Sequence, residues 1–320
     1  MTDLKKTILS FPKQFRIGVE TAKDAKLKAG FRNVIFCGMG GSVMPAEILF
    51  ALLPDLPNSF QIHRDFDLPA WTNKDDLVVC ISWSGGTAEI ISSYEKAKKL
   101  GAKILVITRG GKLAELAGEN NDLSIALPQE NIPPRSGVGY MSASLLTVLI
   151  NSDMIDFKLE ELTNLEDKLR PERFEEKGKK IAERIGNWTP LIYSSFQNRF
   201  LASFWKVKFN EDSKIHAFWN YFPNAAHNEI AGFGWDNFFA IFLSDEKDGP
   251  EQQKKLSVAK NLLEENAVPY EWLELEGKTR IERIFNDYIL SDWASYFMAK
   301  NRRVEPTEAE MIEKFKELEK

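Results

Sequence analysis

Two short segments rich in glycine and hydroxyl side chains are the features of the sequence best suited to binding an anion. The first, Gly38-Met39-Gly40-Gly41-Ser42, follows the apolar run Val34–Cys37 and precedes a helical pattern that begins near Pro45. Glycines let the chain turn sharply and approach a ligand, and a helix N-terminus presents free N–H groups to an anion. The glycine spacing fits neither the dinucleotide-binding pattern nor the P-loop. A tight turn that needs glycine only for packing would have the same sequence.

The second segment is Ser82-Trp83-Ser84-Gly85-Gly86-Thr87, which also ends an apolar run and precedes a helical pattern. Its hydroxyls, Ser82, Ser84 and Thr87, together with main-chain amides could surround a phosphate using neutral donors. Such donors suit a chain with 42 Lys+Arg against 47 Asp+Glu, a formal net charge of −5. A solvated Ser/Gly turn is the alternative. Because ligands bind at the carboxyl ends of parallel strands, two such loops together favour a phosphate site.

The elements that must position these loops follow an α/β pattern. Apolar β-type runs alternate with helical patterns, for example Ile90, Tyr94, Ala97 and Leu100 with Gly101 as the stop. The predicted strands are Val34–Cys37, Phe60–Ile62, Leu77–Ser82, Lys103–Thr108 and Leu123–Leu127, then Pro190–Ser194, Ile215–Trp219, Phe238–Leu243 and Tyr270–Leu275. Strands that are apolar on both faces indicate parallel sheets covered by helices on both sides.

The length of 320 residues suits two domains. We predict an α/β fold of two doubly wound units: residues 1–150 with the candidate anion loops, a charged helical linker at 151–187, and residues 188–320 ending in helices Arg280–Lys300 and Glu308–Lys320.

Composition and missing motifs exclude several function classes. No basic block is present, which argues against nucleic-acid binding, and the most apolar stretch, Leu145–Ile150, is far shorter than the ~20 residues of a membrane span. Three histidines without a metal-binding motif predict no metal, and no cofactor motif is visible. Cys37 and Cys80 lie in apolar runs and are expected to be buried thiols. With no N-terminal signal pattern, the sequence predicts a cytoplasmic protein.

Six segments together resemble a known family. The two glycine-hydroxyl loops resemble those of the sugar isomerase (SIS) domain, which binds phosphorylated sugars. With four further segments the chain is similar to the bifunctional phosphoglucose/phosphomannose isomerases, which have two SIS domains. The further segments are Pro133-Pro134-Arg135, Lys208-Phe209-Asn210-Glu211, His227-Asn228-Glu229-Ile230 and Val304-Glu305-Pro306-Thr307. The chain departs from the family at Val43, where glycine is usual, and at Gly86-Thr87-Ala88-Glu89, where Asn-Thr-Glu-Glu is usual.

The resemblance implies a role for each matched residue. Glu211 matches the base that moves a proton between C1 and C2, and Arg135 matches a cation that would stabilise the enediolate. His227 matches the residue that opens the sugar ring, and in relatives it comes from the partner subunit, which implies a homodimer. His63 and His216 match no catalytic position. Aromatic residues around His227 could exclude water from the site: Phe218, Trp219, Phe222, Phe233 and Trp235.

The resemblance also implies a phosphate site and a specificity position. The phosphate would contact Gly40, Gly41, Ser42, Ser82, Ser84 and Thr87. Ser295, or alternatively Ser291, matches a small hydroxyl residue that leaves room for either C2 epimer; an ordinary polar residue of a helix face is the alternative.

The predicted function is therefore metal-independent aldose–ketose isomerisation. Glucose 6-phosphate and mannose 6-phosphate would be interconverted with fructose 6-phosphate through a cis-enediol(ate). The alternatives are a non-catalytic sugar-phosphate sensor, an SIS isomerase for a different sugar phosphate, and an aminating synthase. The synthase would need a nucleophilic cysteine, and neither Cys37 nor Cys80 is suitably placed.

Overall fold

The computed structural model describes residues 3–28, 30–57, 59–234 and 237–318. The chain forms two compact units: the first unit is Ser10–Leu169, and the second unit combines the residues up to Leu9 with those from Arg170 onward. The segment 151–187, expected as a linker, is thus divided between the two units. Among the described residues, no helix combines the length and apolar character needed to cross a membrane.

The first unit contains a five-stranded parallel sheet in the order β2-β1-β3-β4-β5. Its strands are β1 (Val34–Cys37), β2 (Phe60–His63), β3 (Leu77–Ser82), β4 (Lys103–Thr108) and β5 (Leu123–Ala126). Helix α1 (Leu4–Ser10) precedes this unit, and all but its last residue belongs to the second unit. The helices of the first unit are α2 (Lys13–Ala22), α3 (Met44–Leu52), α4 (Ala88–Leu100), α5 (Gly111–Glu119), α6 (Val138–Asn151), α7 (Leu159–Thr163) and α8 (Leu165–Lys168).

Burial explains why these segments form strands and helices. Every residue of β1 and β3 is buried, as expected of central strands with helices on both faces. On α4, Ile90, Tyr94 and Ala97 form the buried face, and the helix ends at Gly101 in the left-handed conformation, with a φ of +73°. Cys37 and Cys80 lie opposite each other in register as buried free thiols, which confirms the prediction made for them.

The second unit contains a four-stranded parallel sheet in the order β7-β6-β8-β9. Its strands are β6 (Thr189–Ser195), β7 (Phe218–Phe222), β8 (Phe238–Ser244) and β9 (Tyr270–Glu274). From Arg170 onward the helices are α9 (Glu175–Ile185), α10 (Arg199–Glu211), α11 (Pro250–Glu265), α12 (Arg280–Arg302) and α13 (Glu310–Leu318). The predicted fold class, two α/β units with parallel sheets flanked by helices, is confirmed.

One predicted strand was wrong by three residues at each end: the segment Ile215–Trp219 is replaced by β7, Phe218–Phe222. The amide of Ile215 donates to the carbonyl of Phe209, 3.3 Å away, so Ile215 belongs to the turn that closes α10. The strand instead uses the run of aromatic residues that follows, and Pro223 ends it.

Helices α10 and α12 are joined by polar contacts between buried side chains. Trp205 on α10 donates its indole N–H to Asp287 Oδ2 on α12, 3.0 Å away. One turn further along α10, the ammonium of Lys208 forms an ion pair with Asp292 on α12. A buried charge destabilises a fold unless it is paired, so these contacts fix how the two helices pack.

The Trp205–Asp287 contact gives a pH-dependent prediction. Burial raises the pKa of Asp287 to about 7, although the hydrogen bond from Trp205 opposes the shift. The folded state therefore binds this proton more tightly than the unfolded state does, and the free energy of unfolding falls as the pH rises from about 4 to 7. Asp287→Asn keeps an oxygen that can accept from Trp205 but carries no charge.

We compare the free energy of unfolding of Asp287→Asn with that of the natural protein. The difference, variant minus natural protein, should increase by about 3 kcal/mol between pH 5 and pH 8. Urea unfolding of both proteins at several pH values measures it. A difference in free energy of unfolding that does not change with pH would show that Asp287 is not desolvated as described.

Candidate active site

The first unit brings three loops together at the carboxyl ends of β1, β3 and β4. The loop after β1 forms a 3₁₀ turn at Gly40–Ser42, in which Gly40 has a φ of +52°. A Cβ atom on Gly41 would lie only 2.6 Å from the main-chain nitrogen of Arg135. A Cβ on Gly85, in the loop after β3, would lie 1.7 Å from the carbonyl oxygen of Gly110, in the loop after β4. Glycine at these positions is therefore required for the loops to approach each other.

The hydroxyl groups tie the same loops together. Ser42 Oγ accepts a hydrogen bond from the amide of Trp83, 3.0 Å away, and so connects the loops after β1 and β3. Within the second loop, Ser82 Oγ lies 2.9 Å from Thr87 Oγ1 and accepts from the amide of Gly85 at 3.1 Å. Ser42 and Ser82 are buried, whereas Ser84 is exposed and Thr87 is half-buried.

The second loop leads directly into the N-terminus of α4. Thr87 is its N-cap residue, and within the described part of the chain its hydroxyl contacts Ser82 and does not cap the first turn. The first amides of a helix have no acceptor inside that helix and carry the positive end of its dipole. This end of α4 is therefore suited to an anion, and the neighbouring hydroxyls can add donors.

Arg135 lies in the 3₁₀ turn Pro134–Ser136, and only 2% of its surface is exposed. Its turn is held by Gln14, whose side-chain amide donates to the carbonyl of Ser136 at 2.8 Å. An exposed ion pair between Arg135 and Glu130 on the surface does not fit this burial. One oxygen of Glu130 accepts a 2.6 Å hydrogen bond from the hydroxyl of Tyr140. Gly41, Ser42, Ser82, Ser84, Thr87 and Arg135 thus belong to one set of connected loops.

Trp83 connects the second loop to the turn that carries Arg135. Its ring lies against Gly137, where an added Cβ would be 2.4 Å from the ring, and it stacks on Tyr140 with the ring centroids 6.2 Å apart. The large buried side chain of Trp83 therefore fixes the spacing between the two glycine-hydroxyl loops and Arg135.

In the second unit, Glu211 is the last residue of α10 and is half-buried. It lines a cavity of about 650 Å³ together with Asn210, His216 and Glu305. His216, which matches no catalytic position of the family, therefore shares this cavity with Glu211. The neighbouring Asp212 is buried, and its carboxylate accepts a 2.7 Å hydrogen bond from Ser295 Oγ on α12.

Both candidate specificity residues are buried in the second unit. Ser295 donates to Asp212, next to Glu211 in the chain, while Ser291 donates to the carbonyl of Tyr288 at 2.6 Å. Of the two, only Ser295 is linked by a hydrogen bond to the residue beside Glu211.

His227 is exposed at the end of the 3₁₀ turn Asn224–His227. Of the aromatic residues expected around it, Phe222 and Phe233 are buried and Phe218 is exposed. Trp219 is half-buried, and Trp235 lies outside the described residues. Glu211 and His227 therefore both belong to the second unit, whereas Arg135 and the two glycine-hydroxyl loops belong to the first.

Comparison with known proteins agrees with this architecture. Residues 32–152 match the SIS domain family, and residues 174–318 match the family described as "Bacterial phospho-glucose isomerase C-terminal SIS domain". A bifunctional phosphoglucose/phosphomannose isomerase of Aquifex aeolicus (strain VF5) is 33% identical to this chain, over 99% of this chain and 98% of its own length. The chain belongs to the bifunctional phosphoglucose/phosphomannose isomerase family.

Two further proteins are similar to this chain, one in sequence and one in fold. A D-glucosamine-6-phosphate 4-epimerase of Sulfolobus acidocaldarius is 32% identical over 67% of this chain and 65% of its own. The structure of tagatose-6-phosphate ketose/aldose isomerase from Escherichia coli superposes with a TM-score of 0.72 and covers 96% of this chain and 95% of its own. At 15% identity, this second similarity concerns the fold alone.

The third loop of the candidate site was not predicted from the sequence. Thr108 Oγ1 accepts a hydrogen bond from the amide of Gly110 at 3.2 Å, and Gly111 follows with a φ of +69°. The amide of Leu113 donates to the carbonyl of Gly85 at 2.9 Å, which ties this loop to the second one. The signal was present: the glycine pair Gly110-Gly111 follows the predicted strand Lys103–Thr108 after a single residue.

The close approach of these loops predicts different effects for two adjacent glycines. Gly85 has a φ of +68° and no room for a Cβ, whereas a Cβ on Gly86 would meet nothing within 4 Å. We expect Gly85→Ala to lower the free energy of unfolding of the first unit by about 3 kcal/mol, and Gly86→Ala to change it by less than about 1 kcal/mol. Chemical denaturation of both variants tests this. Equal effects would mean that the loops are not packed as described.

Proposed function

We propose that this chain interconverts fructose 6-phosphate with glucose 6-phosphate and mannose 6-phosphate. The observation that carries the proposal is the convergence of two glycine-hydroxyl loops and a buried arginine at the strand ends of the first unit. Membership of the bifunctional isomerase family supplies the reaction type. A non-catalytic sensor would need the loops but would have no use for Glu211 and His227.

The loops would bind the phosphate group of the sugar. Ser42, Ser82, Ser84 and Thr87 would donate hydroxyl hydrogen bonds, and the main chain at Gly40, Gly41 and the start of α4 would add amides. With a net charge of −5 the chain attracts no anion by bulk charge, so local geometry must do so. Phosphate binding far from the reacting carbons would then hold C1 and C2 in place for proton transfer.

Proton transfer would use protein groups alone. His227 would donate a proton to the ring oxygen and remove one from the adjacent hydroxyl, which opens the ring. Glu211 would take the proton from C1 or C2 and return it to the other carbon, with the cis-enediol(ate) between the two steps. The positive charge of Arg135 would stabilise the enediolate oxygen.

We also propose that the active form is a homodimer in which His227 reaches the site of the partner subunit. The exposure of His227 supports this, as does α13, whose apolar side chains Met311, Phe315 and Leu318 are 77%, 62% and 79% exposed.

The expected location of this protein is the cytoplasm.

Ser295 is proposed to influence the choice between C2 epimers through its neighbour. Because its hydroxyl is buried and donates to Asp212, it would act by setting the position of the last turn of α10 and hence of Glu211.

A different sugar phosphate is the second candidate, and the similarity to a D-glucosamine-6-phosphate 4-epimerase favours it. The two possibilities are separated by supplying glucosamine 6-phosphate and fructose 6-phosphate in parallel assays. A 4-epimerase would convert glucosamine 6-phosphate to its C4 epimer, whereas the isomerase would convert fructose 6-phosphate to glucose 6-phosphate and mannose 6-phosphate.

The role of Glu211 gives the direct test of the proposed function. Glu211→Gln should lower kcat for fructose 6-phosphate by at least about 1,000-fold, because an amide cannot accept the carbon-bound proton. Affinity for fructose 6-phosphate, measured by calorimetry, should change by less than about threefold. Glu310→Gln, a glutamate of the same cavity, is the matched control and should keep full activity. Turnover that survives Glu211→Gln would remove Glu211 as the base.

A further inference from the structure

The segment that carries His227 is anchored to the sheet of the second unit through one carboxylate. Both oxygens of Glu229 accept hydrogen bonds from neighbouring strands. The hydroxyl of Tyr193 on β6 donates to Oε2 at 2.8 Å, and the side-chain amide of Asn220 on β7 donates to Oε1 at 2.6 Å. Hydrogen bonds to a charged acceptor are shorter and roughly twice as strong as those between neutral groups.

Both donors are held rigidly by their own surroundings. The ring of Tyr193 is fully buried and packs on Phe222, Phe233 and Phe242, with centroid distances of 5.6, 6.2 and 5.5 Å. Burial raises the pKa of Tyr193, and Glu229 adds to the shift, so the phenol keeps its proton and remains a donor.

The side chain of Asn220 has only one orientation that satisfies its contacts. Its Oδ1 accepts from the amide of Tyr221 at 2.8 Å and from the side chain of Asn224 at 3.2 Å. Its NH₂ group must therefore face Glu229.

The chain around His227 has few other buried contacts. In the described structure, the 3₁₀ turn Asn224–His227 buries only Ala225, and the following turn Glu229–Gly232 buries no residue. His227 and Asn228 are exposed. The main chain around His227 is held by Ala225, by the half-buried side chains of Ala226 and Ile230, which pack against the same core, and by the carboxylate of Glu229, two residues away.

We propose that Glu229, Tyr193 and Asn220 are positioning residues that hold His227 in place for ring opening. The proposal rests on the role that the proposed function gives to His227. In this role the three residues would not contact the reacting atoms; they would fix the main chain from which the imidazole extends. Loosening them should slow ring opening, and it should leave proton transfer at Glu211 unchanged.

Tyr193→Phe is the variant that separates these two steps. It removes one hydrogen bond to Glu229 and keeps the ring that packs in the core. Fructose 6-phosphate must be opened before it reacts, whereas 5-deoxyfructose 6-phosphate lacks the hydroxyl that closes the ring and is always open. Exchange of the C1 proton with solvent deuterium, followed by NMR, reports proton transfer for both compounds.

We expect kcat of Tyr193→Phe to fall by about 10- to 100-fold with fructose 6-phosphate, with KM within about twofold, because small misplacements of a catalytic group have effects of this size. Its exchange rate with 5-deoxyfructose 6-phosphate should stay within about twofold of the natural protein. Tyr270→Phe, which removes another tyrosine–glutamate hydrogen bond of the second unit, is the control and should affect neither compound. Equal losses with both compounds, or no loss with either, would overturn the positioning role.

A second measurement tests the anchor without relying on activity. Amide hydrogen exchange of residues 224–231, in the protein without substrate, should become faster in Tyr193→Phe and should not change in Tyr270→Phe. Unchanged protection of this segment would overturn the proposal even if the protein were inactive. If the natural protein isomerises no sugar phosphate, the proposed function fails, while this exchange experiment still decides whether Glu229 anchors the segment.

Discussion

The candidate site depends on one steric constraint: the loops after β1, β3 and β4 pack so closely that glycine positions between them have no room for a side chain. Gly41 lies against the main chain of Arg135, and Gly85 lies against that of Gly110, so the loops after β1, β3 and β4 and the turn of Arg135 approach each other at main-chain distance. Hydroxyls and amides gather in a small space as a consequence. A chain of net charge −5 can thereby offer an anion many neutral donors and one buried guanidinium.

The second unit positions its groups by a different physical means. Helix α10, which ends at Glu211, is held to α12 by buried polar contacts, among them the ion pair of Lys208 with Asp292. The segment of His227 is held by the carboxylate of Glu229. Polar pairs of this kind add directionality that apolar packing lacks, since each breaks when its partners shift by about 1 Å. Rigid placement is what proton transfer requires.

Local patterns in the sequence predicted most strands and helices well, but they could not predict which side chains contact each other across the fold. The strands Val34–Cys37 and Leu77–Ser82 were predicted with their observed bounds because central parallel strands are apolar on both faces. The strand at β7 was misplaced because Ile215 is apolar but belongs to a turn. No local pattern could show that Trp205 meets Asp287, since 82 positions separate them. The glycine-hydroxyl loops were predictable, whereas the roles of Glu211 and His227 came only from the family resemblance.

Conversion of fructose 6-phosphate in D₂O tests the central claim, that this fold isomerises sugar phosphates by proton transfer between protein groups. The purified protein is incubated with EDTA, and glucose 6-phosphate and mannose 6-phosphate are measured separately by NMR. We predict that both products appear and that deuterium enters C2 over many reversible turnovers, because a proton held on the carboxyl of Glu211 exchanges with solvent in a fraction of them. Neither product, with fructose 6-phosphate still raising the melting temperature, would show a binding protein instead. A complete lack of deuterium at C2 after prolonged equilibration would contradict proton transfer through Glu211.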